Sequence, residues 1–157
     1  MQPLPLPDCA EIVAALGDAV IVSNAEGDIT LWNAAAERMF GFSAAEALGR
    51  SLDLIIPEPQ RQRHWEGYHQ TMQTGVTRYG TTVLRVPALH KDGHTLSIAF
   101  TVALVGGSSI VALVRDETSR WNEERTLRRR LRELEAALAA TKNDAGARAG
   151  ADNAKTG

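Results

Sequence analysis

Only one of the 157 residues is cysteine, Cys9. A single thiol excludes an internal disulfide and a cysteine metal cluster and fits a reducing compartment, so a cytoplasmic location is expected. Aromatic residues make up 5% of the chain. With no basic groove beside them, Trp32 and Trp65 read as packing residues rather than as a platform for stacked bases. Neither sign of charge dominates, since 17 basic and 19 acidic residues leave a net charge of -2. No global field therefore draws the protein to nucleic acid or to an anionic membrane. No apolar run approaches the roughly 20 residues that a membrane span needs. The opening stretch Met1-Gln2-Pro3-Leu4-Pro5-Leu6-Pro7 lacks the basic and apolar regions of a targeting signal. Also missing are a Ser/His/Asp order, a Gly-rich phosphate loop, a metal-binding motif and kinase, cyclase or phosphodiesterase signatures. An enzyme is not expected, and no output domain is seen.

What is present suits one domain and a tail. Hydrophobic residues form 44% of the chain, enough to fill one core but leaving no room for a second domain. Two β-prone runs, Ala19-Val20-Ile21-Val22-Ser23 and Ile29-Thr30-Leu31-Trp32, flank the turn formers Asn24-Ala25-Glu26-Gly27-Asp28, the pattern of a hairpin. Asn33 can cap a helix from Ala34 to Phe40 that Gly41 stops. Ser43, with Glu46 three residues on, caps another that Gly49 stops. A longer helix opens at Pro57, ends at Gly75 and carries His64, Tyr68 and Met72 on one face. Three β-prone stretches follow over 78–89, 95–104 and 109–115, separated by Lys91-Asp92-Gly93 and Gly106-Gly107. From Glu117 the pattern is helical, and Leu127, Leu131, Leu134 and Leu138 recur at 4, 3, 4 spacing, a coiled-coil seam of about two heptads. The arginines at 128, 129, 130 and 132 read as solvated flanks that select a partner. Beyond residue 142 there is no large apolar residue, so 143–157 is expected to be a disordered tail.

Several local motifs agree with this order of elements. They are Ile29-Thr30-Leu31-Trp32-Asn33-Ala34-Ala35-Ala36-Glu37-Arg38-Met39-Phe40-Gly41-Phe42, Glu46-Ala47-Leu48-Gly49-Arg50, Ile56-Pro57-Glu58-Pro59, His90-Lys91-Asp92-Gly93 and Val114-Arg115-Asp116-Glu117-Thr118. Jointly they resemble the PAS family over roughly residues 15 to 120. The resemblance implies an α+β PAS fold: a five-stranded antiparallel sheet with short helices and one longer helix on one face, followed by a C-terminal coiled-coil helix. It divides the chain into a leader or cap, 1–14, a PAS sensor domain, 15–116, a signalling helix, 117–142, and the tail. Asp116 and Thr118 resemble the family's Asp-x-Thr junction, where the last strand hands over to the signalling helix; an ordinary helix cap is also compatible with them.

The segment from Ile56 to Gly75 resembles, without gaps, the haem-binding PAS domains of oxygen-sensing nitrogen-fixation kinases and of the related haem-regulated phosphodiesterase. The resemblance places His64 on the proximal haem histidine, with Tyr68 one turn on, Arg78 on a propionate contact, and Ile98, Phe100 and Val102 on the apolar distal pocket. A neutral imidazole can ligate iron, so haem b is the implied cofactor, with a diatomic gas or the redox state as stimulus. Leu84 stands where those sensors carry a distal arginine, and Thr82 where some carry a methionine. A haem sensor here is accordingly not presumed to hold oxygen; Tyr79 is the nearby donor. Covalent flavin photochemistry is excluded, because the domain core has no cysteine.

Blander readings stand beside these. His64 can equally be a structural histidine, and Arg78 an exposed strand-end charge. His69 lies five residues beyond His64, the wrong helical spacing for a shared metal. His90 and His94 straddle a turn rather than a helix, so zinc is not expected there. The expected assembly is a homodimer that acts on a separate effector protein through its helix. The competing function is a cofactor-free PAS interaction module, or one holding another small ligand.

Overall fold

The computed structural model describes residues 7–153. Residues 1–6 of the expected leader and 154–157 of the expected tail lie outside them. The chain divides after Thr118 into two compact units.

Five antiparallel strands form one sheet in the order β2-β1-β5-β4-β3, with β1 Ala19–Ser23, β2 Ile29–Trp32, β3 Leu84–Leu89, β4 Thr95–Val105 and β5 Ser109–Asp116. Between β2, on one edge, and β3, on the other, the chain forms helices α2 Ala34–Phe40, α3 Ala44–Ala47 and α4 Glu58–Thr74, with a short 3-10 turn at Leu52–Leu54. The register puts Ala19, Val114, Phe100 and Leu84 in one row across four strands, and Trp32, Ile21, Ala112 and Val102 in another. Side chains alternate along a strand, so Ile98, Phe100, Val102 and Leu84 share one face of the sheet.

The core lies on that face. Phe40, Ala36, Ala19 and Ala47 are fully buried, and Ile29 nearly so. The small side chains of Ala35 and Ala36 let α2 settle closely on β1, while Phe40 fills the space beyond and meets Trp32 at 5.3 Å between ring centroids. Complete burial of a phenyl ring of this kind contributes about 1.5–3 kcal/mol.

Asn33 binds this corner together. Its Oδ1 accepts the N–H of Ala36, capping α2, and that of Val20 in β1; its Nδ2 donates to the carbonyls of Val13 and Asp18. Every hydrogen-bonding position of a buried amide is thereby used. Gly41, in the left-handed region at φ +80°, ends α2 by donating to the Glu37 carbonyl. Ser43 and Glu46 form the full capping box of α3.

The expected leader or cap carries a short helix, Cys9–Ala15 (α1), capped by the Asp8 side chain, which accepts the Ala10 N–H. Two expectations need correction. The third strand begins at Leu84 rather than at 78. Gly80 adopts φ +50°, the Thr82 N–H donates to the Tyr79 carbonyl, and Arg78 turns to Gln70, so residues 78–81 form turns. At the other end, α5 spans Thr118–Asn153 and so runs through most of the stretch expected to be disordered. Extending a helix fixes few dihedrals per bond gained, and alanine, abundant there, loses no side-chain entropy. Along α5 the leucines 127, 131, 134 and 138 are 57–65% exposed. No helix among the described residues is long and apolar enough to cross a membrane.

Candidate functional site

Helix α4 carries the candidate site. Pro57 stands at its N-cap, Gly75 closes it at φ +68° by donating to the Thr71 carbonyl, and its inward stripe bears His64, Trp65, Tyr68 and Met72. Two side chains fasten this stripe to the hairpin side of the domain. The Tyr68 hydroxyl donates to Ser23 Oγ and contacts the Asn24 carbonyl. The Trp65 Nε1–H donates to Asp53 Oδ1, 2.9 Å away, and the indole lies over Gly27, where an added Cβ would be 2.2 Å from Cη2. Only glycine permits that approach. Burial pushes the Tyr68 phenol up, which keeps it a neutral donor.

His64 sits between these anchors, 4.9 Å from the Trp65 ring and 5.7 Å from that of Tyr68. Its Nδ1 is buried and has no hydrogen-bond partner among the described residues. Desolvation pushes its pKa below the ordinary histidine value, against the opposing pull of the Asp53 carboxylate; His69 adds a smaller downward push. The imidazole is therefore neutral at physiological pH, with an unsatisfied nitrogen, and an unpaired buried polar atom of this kind calls for a functional explanation.

An open pocket of about 310 Å³ lies at the surface of α4, lined by Gly67, Gln70, Thr71, Thr74, Val76, Arg78 and Tyr79, and His64, Leu84, Ile98, Phe100 and Val102 are not among its lining. Gly67 and Thr71 follow His64 by three and seven residues, on the same flank of the helix. Arg78 and Tyr79 are exposed at this cavity, and Arg78 Nη2 donates to Gln70 Oε1 at 2.7 Å. Gly67 is a helix-interior glycine that costs about 1 kcal/mol against alanine, and a Cβ there would meet no atom within 4 Å, so no close contact requires glycine at this wall.

The apolar candidates belong to the sheet. Ile98 is buried, Phe100 and Val102 pack with Met72 and Trp65 against the same core cluster, and Leu84 pairs with Phe100 across β3 and β4. Asp116 and Thr118 form a joint at the end of β5. Thr118 donates its N–H to Asp116 Oδ1 at 2.8 Å and its hydroxyl to the same oxygen, while accepting the Ser97 N–H. The Glu117 N–H donates to the Ser97 carbonyl, and its side chain pairs with Arg85. Away from α4, the turn between β3 and β4 does what the sequence spacing did not suggest: it stacks the rings of His90 and His94, 4.4 Å apart, beside Asp92.

A five-stranded antiparallel sheet with its helices inserted between the second and third strands, and a hydrogen-bonded joint leading into a long helix, defines a class of signalling domain. Residues 8–116 match the PAS family, described as the PAS fold, and the chain belongs to it. It is 32% identical over 131 residues to the sensor protein FixL of Bradyrhizobium diazoefficiens, covering 81% of this chain and 25% of that protein. It is 27% identical over 99 residues to the oxygen sensor protein DosP of Escherichia coli, covering 61% of this chain and 12% of that one. Among solved structures, a PAS domain from Colwellia psychrerythraea superposes with a TM-score of 0.58 at 21% identity, over 70% of this chain and 94% of that one. The chain spans a quarter or less of the length of these curated relatives.

Proposed function

We propose that this PAS module senses its signal through a b-type haem held by His64 and relays it through the coiled-coil helix. The observation that carries the reading is the neutral, mostly buried imidazole of His64 with its unpartnered Nδ1. A haem iron, when bound, supplies a coordination position for a diatomic ligand and a change of redox state. Around it the residues have separable tasks. Trp65 and Tyr68 hold the helix, and hence the imidazole, in place. Arg78 is the cation available at the cavity for a propionate, with Tyr79 as a hydroxyl donor nearby. Leu84, Ile98, Phe100 and Val102 offer no hydrogen-bond donor, which favours carbon monoxide, nitric oxide or redox state over retained oxygen.

Relay rests on Ser97. It adjoins Ile98 in β4 and meets both Glu117 and Thr118 through its backbone, so a displacement of β4 reaches Asp116, Glu117 and Thr118 directly. The exposed leucines 127, 131, 134 and 138 then suit pairing of two copies, and the paired helices would act on a separate effector. Reconstitution with haemin tests the reading: a sharp Soret band is expected, weakened or shifted in His64→Ala. The same spectrum in that variant would overturn the assignment.

The leucine stripe also supports a second reading, a cofactor-free pairing module. A protein that stays colourless with haemin yet sediments as a dimer, and as a monomer after Leu131→Glu, would favour it.

A further inference from the structure

The turn between β3 and β4 gathers three metal-ligating side chains that the haem reading does not use. One nitrogen of His90, one of His94 and a carboxylate oxygen of Asp92 all lie within 4.8 Å of one another. Asp92 Oδ1 is 3.1 Å from His90 Nδ1 and in close contact with His94 Nδ1, so the carboxylate touches both rings.

Backbone geometry holds the three groups together. His90 and His94 close the turn through the His90 N–H and the His94 carbonyl, the Gly93 N–H donates to the His90 carbonyl, and Gly93 takes φ +93°. The His94 N–H donates to Asp92 Oδ1 at 3.0 Å. The turn is anchored to the domain as well, because the Lys91 N–H donates to the Phe40 carbonyl. The His90 ring lies against Gly41, where an added Cβ would come within 2.7 Å of it. Lys91 is drawn aside by Glu46, so its ammonium is neutralised locally.

We propose that His90, Asp92 and His94 form a binding site for a borderline divalent transition metal of the zinc class. Two imidazoles and one carboxylate are a familiar ligand set for such ions, with water completing four-coordination. The donors are gathered in one turn, and meeting one ion about 2.0–2.2 Å from each requires the stacked rings of His90 and His94 to swing about their side-chain torsions until a nitrogen of each faces it. A metal on His90 Nδ1 takes the lone pair that the Asp92 N–H approaches at 3.2 Å; that amide sits in an exposed residue and turns to water. Bound metal would lock the turn, and through Lys91 and Gly41 its seat on α2.

Titration of tag-free protein with zinc(II) against a chromophoric indicator tests this. One equivalent should bind to the wild type and to His64→Ala, with affinity reduced roughly tenfold or more in His94→Ala and Asp92→Asn. The thermal midpoint should rise with zinc in the first two proteins and rise less at the same zinc concentration in His94→Ala. No uptake by the wild type, or equal affinity in His94→Ala, would overturn the proposal. Loss of binding in His64→Ala alone would place the ion at α4 and overturn it too.

Discussion

The hydroxyl of Thr118 accepts the backbone N–H of Ser97 at 3.0 Å while donating to Asp116, so one threonine joins β4 to the end of β5. Thr118→Val keeps the shape and removes both bonds, leaving a partly buried donor unpaired. Urea denaturation should show a loss of about 1–3 kcal/mol, most of it restored by Thr118→Ser.

Asn33 should be harder to replace. Asn33→Ala strips partners from the N–H groups of Val20 and Ala36 and from two carbonyls at once. A destabilisation of about 2–4 kcal/mol is expected, with Asn33→Asp, which keeps only the acceptor role, in between. A loss below about 0.5 kcal/mol in denaturant melts would contradict this account.

Gly27 and Trp65 should prove coupled. Gly27→Ala combines a strained φ of +88° with a Cβ 2.2 Å from the indole, and should cost about 1–3 kcal/mol. In the Trp65→Ala background the steric part disappears while the strain remains. The double-mutant cycle should therefore show a coupling energy of about 0.5 kcal/mol or more, and strict additivity would refute the contact.

Acid should weaken the haem-free protein through His64. Burial lowers its pKa in the folded state below the ordinary 6.5. As the pH falls below that value the unfolded chain takes up the proton first, so stability is full above about 6.5 and declines as the pH drops toward the folded value. Urea midpoints measured between pH 7.5 and 5.5 should fall more steeply in the wild type than in His64→Leu. Equal slopes would mean that the imidazole is not desolvated.

The sequence by itself determined the elements whose signals are local. Asn33, Ser43 with Glu46, Gly41 and Gly75 mark helix ends because a cap is made within a few residues of chain, and structure and sequence agree there to within a residue or two. Alternation likewise placed Ile98, Phe100 and Val102 on one face of β4, because a strand has no other way to turn its side chains. The motifs around these positions also brought the PAS family into view.

Tertiary structure decided the rest, wherever the partner lies far along the chain or the competition is between two permissible states. Arg78 looks β-prone, yet the Gly80 turn and Gln70 keep it out of the sheet. Alanine at the end of α5 is compatible with coil or helix, and there the helix prevails. The seat of Trp65 on Gly27 and the bond from Tyr68 to Ser23 span some forty positions, beyond the reach of any periodicity. The convergence of His90, Asp92 and His94 depends on the path of a single turn. His64 joins the two kinds of information: sequence marked the residue, and packing alone left its Nδ1 buried and unpaired.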